Sequence, residues 1–234
     1  MIDKYKFPNA GIHIVARKVG EADYFLKELK ITHLYDEKFN YIFSAFVSAL
    51  RSITFSLQYV MTKYPGFDAW YKIRQEKLRG SKLARAFVEF RNQAQKTGII
   101  PIAPERSLFE GIFYETTQFY IPTNSELKEV PDGNVVDLSE KCLTEVLSVV
   151  GECYTDFDTY IDPRVLFTDR ALKKFNWTIE DLEEFVGIPK GYTDIDYEDS
   201  ELSNSQIRIN LLRPHGGDET LQIYLDKYLS NNND

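Results

Sequence analysis

Residues 36–64 read DEKFNYIFSAFVSALRSITFSLQYVMTKY, with no internal Gly or Pro, and Pro65-Gly66 stops them cleanly. Ile42, Phe46, Ala49, Ile53, Leu57 and Val60 recur at helical spacing and make one apolar stripe, which Phe39, Phe43, Val47 and Leu50 widen. On the other side Ser44, Ser48, Ser52 and Ser56 lie one turn apart, a ridge small enough for another helix to approach closely. This pattern predicts a long central helix packed on more than one side.

Working outward, residues 21–30 have helical spacing in Tyr24, Phe25 and Leu29 and close on basic residues, as a helix C-terminus prefers. Ile12 to Val15, after Pro8 and Gly11, read as a strand or an extended arm. Residues 67–78 predict a shorter helix carrying Trp70, Tyr71, Ile73 and Leu78. Gly80-Ser81 then opens a helix over residues 81–98, SKLARAFVEFRNQAQKTG, with Leu83, Phe87, Phe90 and Ala94 toward the core. Four consecutive helical segments predict a bundle.

After Gly98 the pattern changes. Ile99 to Pro104 is extended, because residues before Pro avoid the α region. Residues 108–121 (LFEGIFYETTQFYI) are rich in β-branched and aromatic residues, with a bulge expected at Gly111, and Pro131-Asp132-Gly133-Asn134 is a turn signal. Residues 137–161 return to helix, opened by a capping box of Asp137 and Glu140, with Leu143, Val146, Leu147, Val150, Cys153, Tyr154 and Phe157 on the buried face. A helix is expected from Pro163 to about Lys174. Thr178 to Asp181 forms a second capping box before a helix closed by Gly187 and Pro189. Residues 191–206 read as a polar, acidic surface loop and 218–229 as the last helix. The fold class is therefore mainly α: a helical bundle over 1–98, a small β insertion or hairpin over 99–136 and a helical half over 137–234, as separate regions or one continuous domain.

The 234 residues are 43% hydrophobic and 27% charged, ordinary for a globular protein, with a high aromatic share of 14%. A formal charge of −8 argues against a broad electrostatic grip on nucleic acid but leaves room for a local basic site. Lys and Arg concentrate between residues 63 and 96, Glu and Asp between 180 and 201. No apolar run is long enough to span a bilayer and no signal-peptide core is present, which predicts a cytoplasmic protein without a membrane partner. Cys142 and Cys153, eleven residues apart on one predicted helix, sit ~16 Å apart along its axis, beyond disulfide reach, and read as buried structural thiols.

The motif helix carries Phe90-Arg91-Asn92 and, four residues on, Lys96. This resembles the Arg-Asn-x-x-x-His signature of HEPN domains, helical modules associated with nucleotides and RNA, with Lys96 where the family has His. The resemblance spans residues 39–101. It implies that Arg91 holds a phosphate through its planar fork, that Asn92 orients the neighbouring backbone, and that two copies of the site meet across a homodimer interface. It also implies an acid or base at position 96 for cleaving RNA through the 2′-hydroxyl. An unperturbed Lys titrates near 10.4 against about 6.5 for His, so Lys in that place supplies charge rather than proton transfer.

Each residue has a second reading. Arg91 sits at the edge of the buried face, where it either binds an anion or snorkels over the bundle to pair with Glu89 or Glu105. Arg51, in the middle of the central helix, either pairs with a buried acid or stands beside Arg91 as a two-arginine anion site. His13, His33 and His215 lack metal spacing and read as surface or capping residues. The alternation Asp194, Asp196, Glu198 fails as a calcium loop, since Asp199 and Ser205 stand where Gly and Glu belong. The helix pair over 164–186 carries too many acids, Glu180, Asp181, Glu183 and Glu184, to enter DNA and reads as a protein-contact surface. The function expected is a HEPN-like RNA- or nucleotide-binding module, catalytically degenerate, with tentative ligand residues Arg91, Asn92, Lys96 and Arg51, no cofactor and no metal. Were it an enzyme, it would be a metal-independent endoribonuclease. The alternative is a non-enzymatic scaffold or regulatory protein-interaction domain with an acidic C-terminal surface.

Overall fold

The computed structural model describes residues 11–98, 100–110, 112–121, 127, 129–162, 165, 167–195, 201–216 and 219–230. In chain order its elements are α1 (Ile12–Ile31), α2 (Glu37–Met61), α3 (Phe67–Gly80), α4 (Lys82–Thr97), β1 (Ile102–Phe109), β2 (Ile112–Phe119), α5 (Val135–Asp156), α6 (Asp158–Ile161), α7 (Asp169–Phe175), α8 (Ile179–Phe185), α9 (Asn204–Gly216) and α10 (Thr220–Leu229). The mainly α class with a small antiparallel hairpin is the one observed. The chain gathers into two compact units, a larger one of Ile14–Val150 with Tyr224–Asp234 and a smaller one of Gly151–Ile223 with Met1–His13.

In the larger unit α2 is the organising helix. Asp36 caps it by accepting from the Lys38 N–H, and its apolar face meets α4 and the hairpin through phenylalanines. Phe43, Phe46, Phe87, Phe90 and Phe119 form one cluster from α2, α4 and β2, with Phe90 stacked on Phe119 at 4.3 Å between centroids. Offset and edge contacts of this kind add to the area term of aromatic burial. Ile42, expected in the core, is only half-buried, because Phe39 and Phe43 turn the packed face by one position. Along the serine ridge, Ser48 and Ser52 donate to the carbonyls of Ser44 and Ser48, so these hydroxyls are engaged by their own helix.

Several boundaries differ from the sequence reading. The Ile12–Val15 run is the start of α1, not a strand or arm: Ile12, Val15, Ala16, Val19, Ala22, Leu26 and Leu29 are all buried at helical spacing. Gly20 inside α1 has a packing reason, since a Cβ there would lie 2.9 Å from the Tyr224 hydroxyl. The cap of α5 is Asn134, whose Oδ1 accepts from Val136 N–H at 2.8 Å, so the helix starts before the expected box at Asp137. That helix ends at Asp156 and α6 is a separate turn. β1 pairs with β2 antiparallel from Ile102↔Phe119 to Phe109↔Ile112. The bulge expected at Gly111 lies outside the described residues. Cys142 and Cys153 are buried thiols, as read. Burial pushes the Cys142 thiol up, with the Glu145 charge adding to it. Asp23 of α1 is buried and receives Lys227, Lys27 (2.7 Å) and the Tyr228 hydroxyl (2.6 Å). Burial alone would raise this carboxyl, but those donors outweigh it and hold it below its ordinary range.

The smaller unit packs Phe167, Ala171, Leu172, Leu182, Ile209 and Leu212 together. The capping box at Thr178 and Asp181 is present as expected, with both reciprocal bonds made. Helix α9 is a correction: residues 204–206 belonged to the predicted surface loop, and the helix, which contains Pro214, carries the core residues Ile209 and Leu212. The acidic surface also proves partly internal. Glu183 is fully buried, accepting from the N–H groups of Gly191 and Thr193 and from the Thr193 hydroxyl. Arg208 completes the group, reaching Glu180 at 2.8 Å, Glu183 at 3.3 Å and Asp194 at 3.5 Å. Burial would raise the Glu183 carboxyl, yet Thr193, Gly191 and Arg208 together hold it below the ordinary range.

Three outcomes follow from this packing. Phe46→Ala or Phe87→Ala should lower unfolding stability in urea by about 3–5 kcal/mol, and Ile42→Ala by clearly less. Arg208→Ala leaves Glu183 buried without its cation and should cost about 3–5 kcal/mol, which Arg208→Lys cannot restore because it lacks the fork. The lowered Asp23 and Glu183 carboxyls stabilise the fold above their ordinary range, and this contribution disappears as pH falls through the lower folded values. Urea midpoints should therefore drop steeply below about pH 4, with a shallower acid limb in Glu183→Gln.

Candidate functional site

The larger unit holds a cleft of about 700 Å³ formed by α2, α3, α4 and α5 together with Leu127 and Glu129. Its walls include apolar side chains of Val47, Leu50, Leu78, Val88 and Val146, the amides of Gln75 and Asn92, and four cations, Arg51, Arg79, Lys82 and Arg85. Arg51 is half-buried, while Arg79, Lys82 and Arg85 are exposed.

Helix geometry explains how the cations converge. Arg51 projects from the middle of α2, its guanidinium 4.3 Å over the Phe55 ring and donating to Thr54 Oγ1 at 3.2 Å. Arg79 ends α3, and Lys82 and Arg85 begin α4 after only Ser81 between the helices. Ser81 caps α4 by accepting from Ala84 N–H and itself donates to Glu145 at 2.7 Å. The first turn of α4 carries no acid and two residues of this region are cationic, against the usual preference for carboxylates at the positive end of a helix. The Glu145 carboxylate, bonded to Ser81, and Glu129, paired with Lys82, bring negative charge to that end from other parts of the chain.

Arg51, Arg79 and Arg85 make no ion pair with any described residue, although the Arg85 charge reaches Glu129. Lys82 pairs with Glu129 at 2.7 Å, both exposed, and Glu89 also lines the cleft, accepting from Gln93. Burial pulls the Arg51 guanidinium below its ordinary value. Tyr71 opposes this, and the charges of Arg91 and Arg79 add to it. Tyr71 is buried in the same wall with its hydroxyl accepting from Gln58 at 3.0 Å, and burial raises it. A partly desolvated guanidinium beside two others, without a carboxylate, is an environment that an anion would relieve.

The four sequence-read residues separate. Arg51 and Asn92 line the cleft. Arg91 is not in its lining but lies close enough for its charge to act on Arg51. Arg91 Nη1 donates to Asn92 Oδ1 at 3.3 Å, and its buried Nε has no hydrogen-bond partner. Neither Arg91 nor Arg51 pairs with a described carboxylate, and Glu105 accepts from Gln118 instead. Lys96 is exposed in the last turn of α4, outside the cleft lining, where a cation suits the helix C-terminus. Arg79, Lys82, Arg85, Gln75 and Tyr71 were not singled out as site residues in the sequence. The clustering of Lys and Arg between residues 63 and 96 was the signal for the three cations. His13, His33 and His215 are all exposed, and among the described residues no group of His, Cys, Asp or Glu could hold a metal ion. No helix among the described residues is long and apolar enough to cross a membrane.

A family model described as bacteriophage lambda protein ea47 matches residues 9–103, less than half of the 234-residue chain. The similarity spans α1 to α4 and includes Arg51, Arg79, Lys82, Arg85 and Asn92, while Glu129 and Val146 of the cleft lie beyond it. No curated protein and no solved structure matches this chain.

The cleft yields a stability expectation. Arg51→Met keeps the stem against Phe55 and removes the desolvated charge, so unfolding stability should stay within about 1 kcal/mol of wild type or rise. A loss above about 2 kcal/mol in urea unfolding would make Arg51 a structural residue instead.

Proposed function

We propose that the chain is a HEPN-like module that binds RNA or a nucleotide through phosphate and does not cleave RNA. The observation that carries this reading is the trio Arg51, Arg79 and Arg85, without carboxylate partners among the described residues, around one cleft of a protein whose net charge is −8. With acids in excess, three guanidiniums at one cleft are suited to a phosphate, which their planar forks match. Asn92 adds an amide to the same wall, and Arg91 adds its charge behind Arg51. The resemblance further makes the chain a homodimer built around α4, which light scattering checks directly. A scaffold using an acidic C-terminal surface is the less favoured reading, because Glu180, Glu183 and Asp194 already converge on Arg208.

Fluorescence anisotropy with labelled single-stranded RNA and nucleotides tests the reading. Binding should weaken as salt rises from about 0.05 to 0.2 M, and by about tenfold or more in Arg51→Met. The RNA should remain intact at pH 7. Cleavage abolished by Arg91→Ala would identify a metal-independent endoribonuclease instead, and no binding of either probe would favour the scaffold.

A further inference from the structure

The cleft also bears on which phosphate group it takes, an inference that rests on the phosphate-binding reading above. A protein that holds an RNA strand by its backbone presents cations along a track, because each internal phosphodiester carries one charge and the next lies a nucleotide further on. In this protein the cations gather instead. Arg51, Arg79 and Arg85 come from the middle of α2, the end of α3 and the start of α4, and all front one cavity. Lys82 is a fourth, held at the rim by Glu129, and Glu89 is the other carboxylate of the lining. The start of α4 faces the same cavity through Lys82, Ala84 and Arg85, with no acid in its first turn. Backbone N–H groups at such a terminus favour negative charge, and Glu145, bonded to the cap Ser81, already supplies part of it. Away from the cations the wall is apolar, at Val47, Leu50 and Val146.

We infer that the ligand of this cleft ends in a di- or triphosphate group. A triphosphate places roughly three to four negative charges within one short chain, which suits three guanidiniums around one cleft, whereas each internal phosphodiester carries a single charge. The apolar wall takes the uncharged part of the ligand. A nucleoside triphosphate and the 5′-triphosphate end of an RNA carry this same group, and both fit the cation cluster.

The test is calorimetric titration of the full chain, at about 0.1 M salt without magnesium. The probes are ATP, AMP, inorganic tripolyphosphate, and one short single-stranded RNA made with a 5′-triphosphate or a 5′-hydroxyl. Triphosphate-bearing probes should bind at least about tenfold more tightly than AMP or the 5′-hydroxyl RNA, and Arg79→Gln or Arg85→Gln should remove most of that difference. Both arginines are exposed, so these variants test the site even if Arg51→Met fails to fold. Tight binding of ATP without the triphosphate RNA supports the inference with a free nucleotide as source. Preference for the triphosphate RNA over ATP supports it with an RNA end as source. Equal binding of the two RNAs, weakened by Arg51→Met, overturns the inference and leaves phosphate binding standing. A triphosphate preference that survives both exposed-arginine variants overturns the assignment to this cleft. No binding by any probe overturns both readings.

Discussion

The stacking of Phe90 on Phe119, inside a cluster completed by Phe43, Phe46 and Phe87, fixes the larger unit. These rings belong to α2, α4 and β2, so one aromatic contact sets helix against helix and anchors the root of the hairpin to both. Side chains one position on turn by about a quarter of the helix circumference. With Phe90 buried, Arg91 and Asn92 must emerge at the edge of the packed face. With Leu50 buried, Arg51 must emerge beside them. The phenylalanines thus aim the polar groups at the cleft, and Phe87 is itself part of its wall.

Arg208 and Arg51, one buried and one half-buried, live in opposite surroundings. Arg208 is ringed by Glu180, Glu183 and Asp194, and its bonds tie α8, α9 and the loop at Thr193 together. That is how a chain rich in acids ordinarily treats a buried cation. Arg51 receives only a hydroxyl and an aromatic face, with Arg79 and Arg91 as electrostatic neighbours. Neither burial nor charge count forces this difference. The anion site proposed for the cleft gives it a physical reason.

The ea47-like stretch and the HEPN-like motif fall on the same helices, and these helices supply most of the cleft. The motif by itself is four residues of pattern. Its physical interest is that Asn92 and the charge of Arg91 lie next to cations the motif does not contain. Lys96, the residue on which the motif departs, sits apart at the exposed end of α4.

The helices α2, α3 and α4, the hairpin, the Thr178 capping box and the buried cysteines were legible in the sequence, because apolar periodicity, Pro-Gly stops and cap chemistry are local properties. Locality also explains the misses. The loop expected over 191–206 runs into a helix that exists because Ile209 and Leu212 are buried, and Asn134 rather than Asp137 caps α5 because the buried face begins earlier. At the site, the sequence singled out Arg51, Arg91 and Asn92, each from its place on one helix. It left open whether Arg51 faced an acid or another cation, since that depends on side chains contributed by other elements. Only the tertiary structure decided that Arg79 and Arg85 share its cleft and that Glu183 is an internal ligand of Arg208 rather than part of an acidic surface. A single chain segment determines which way a charge points, but the packing of several segments determines what it meets.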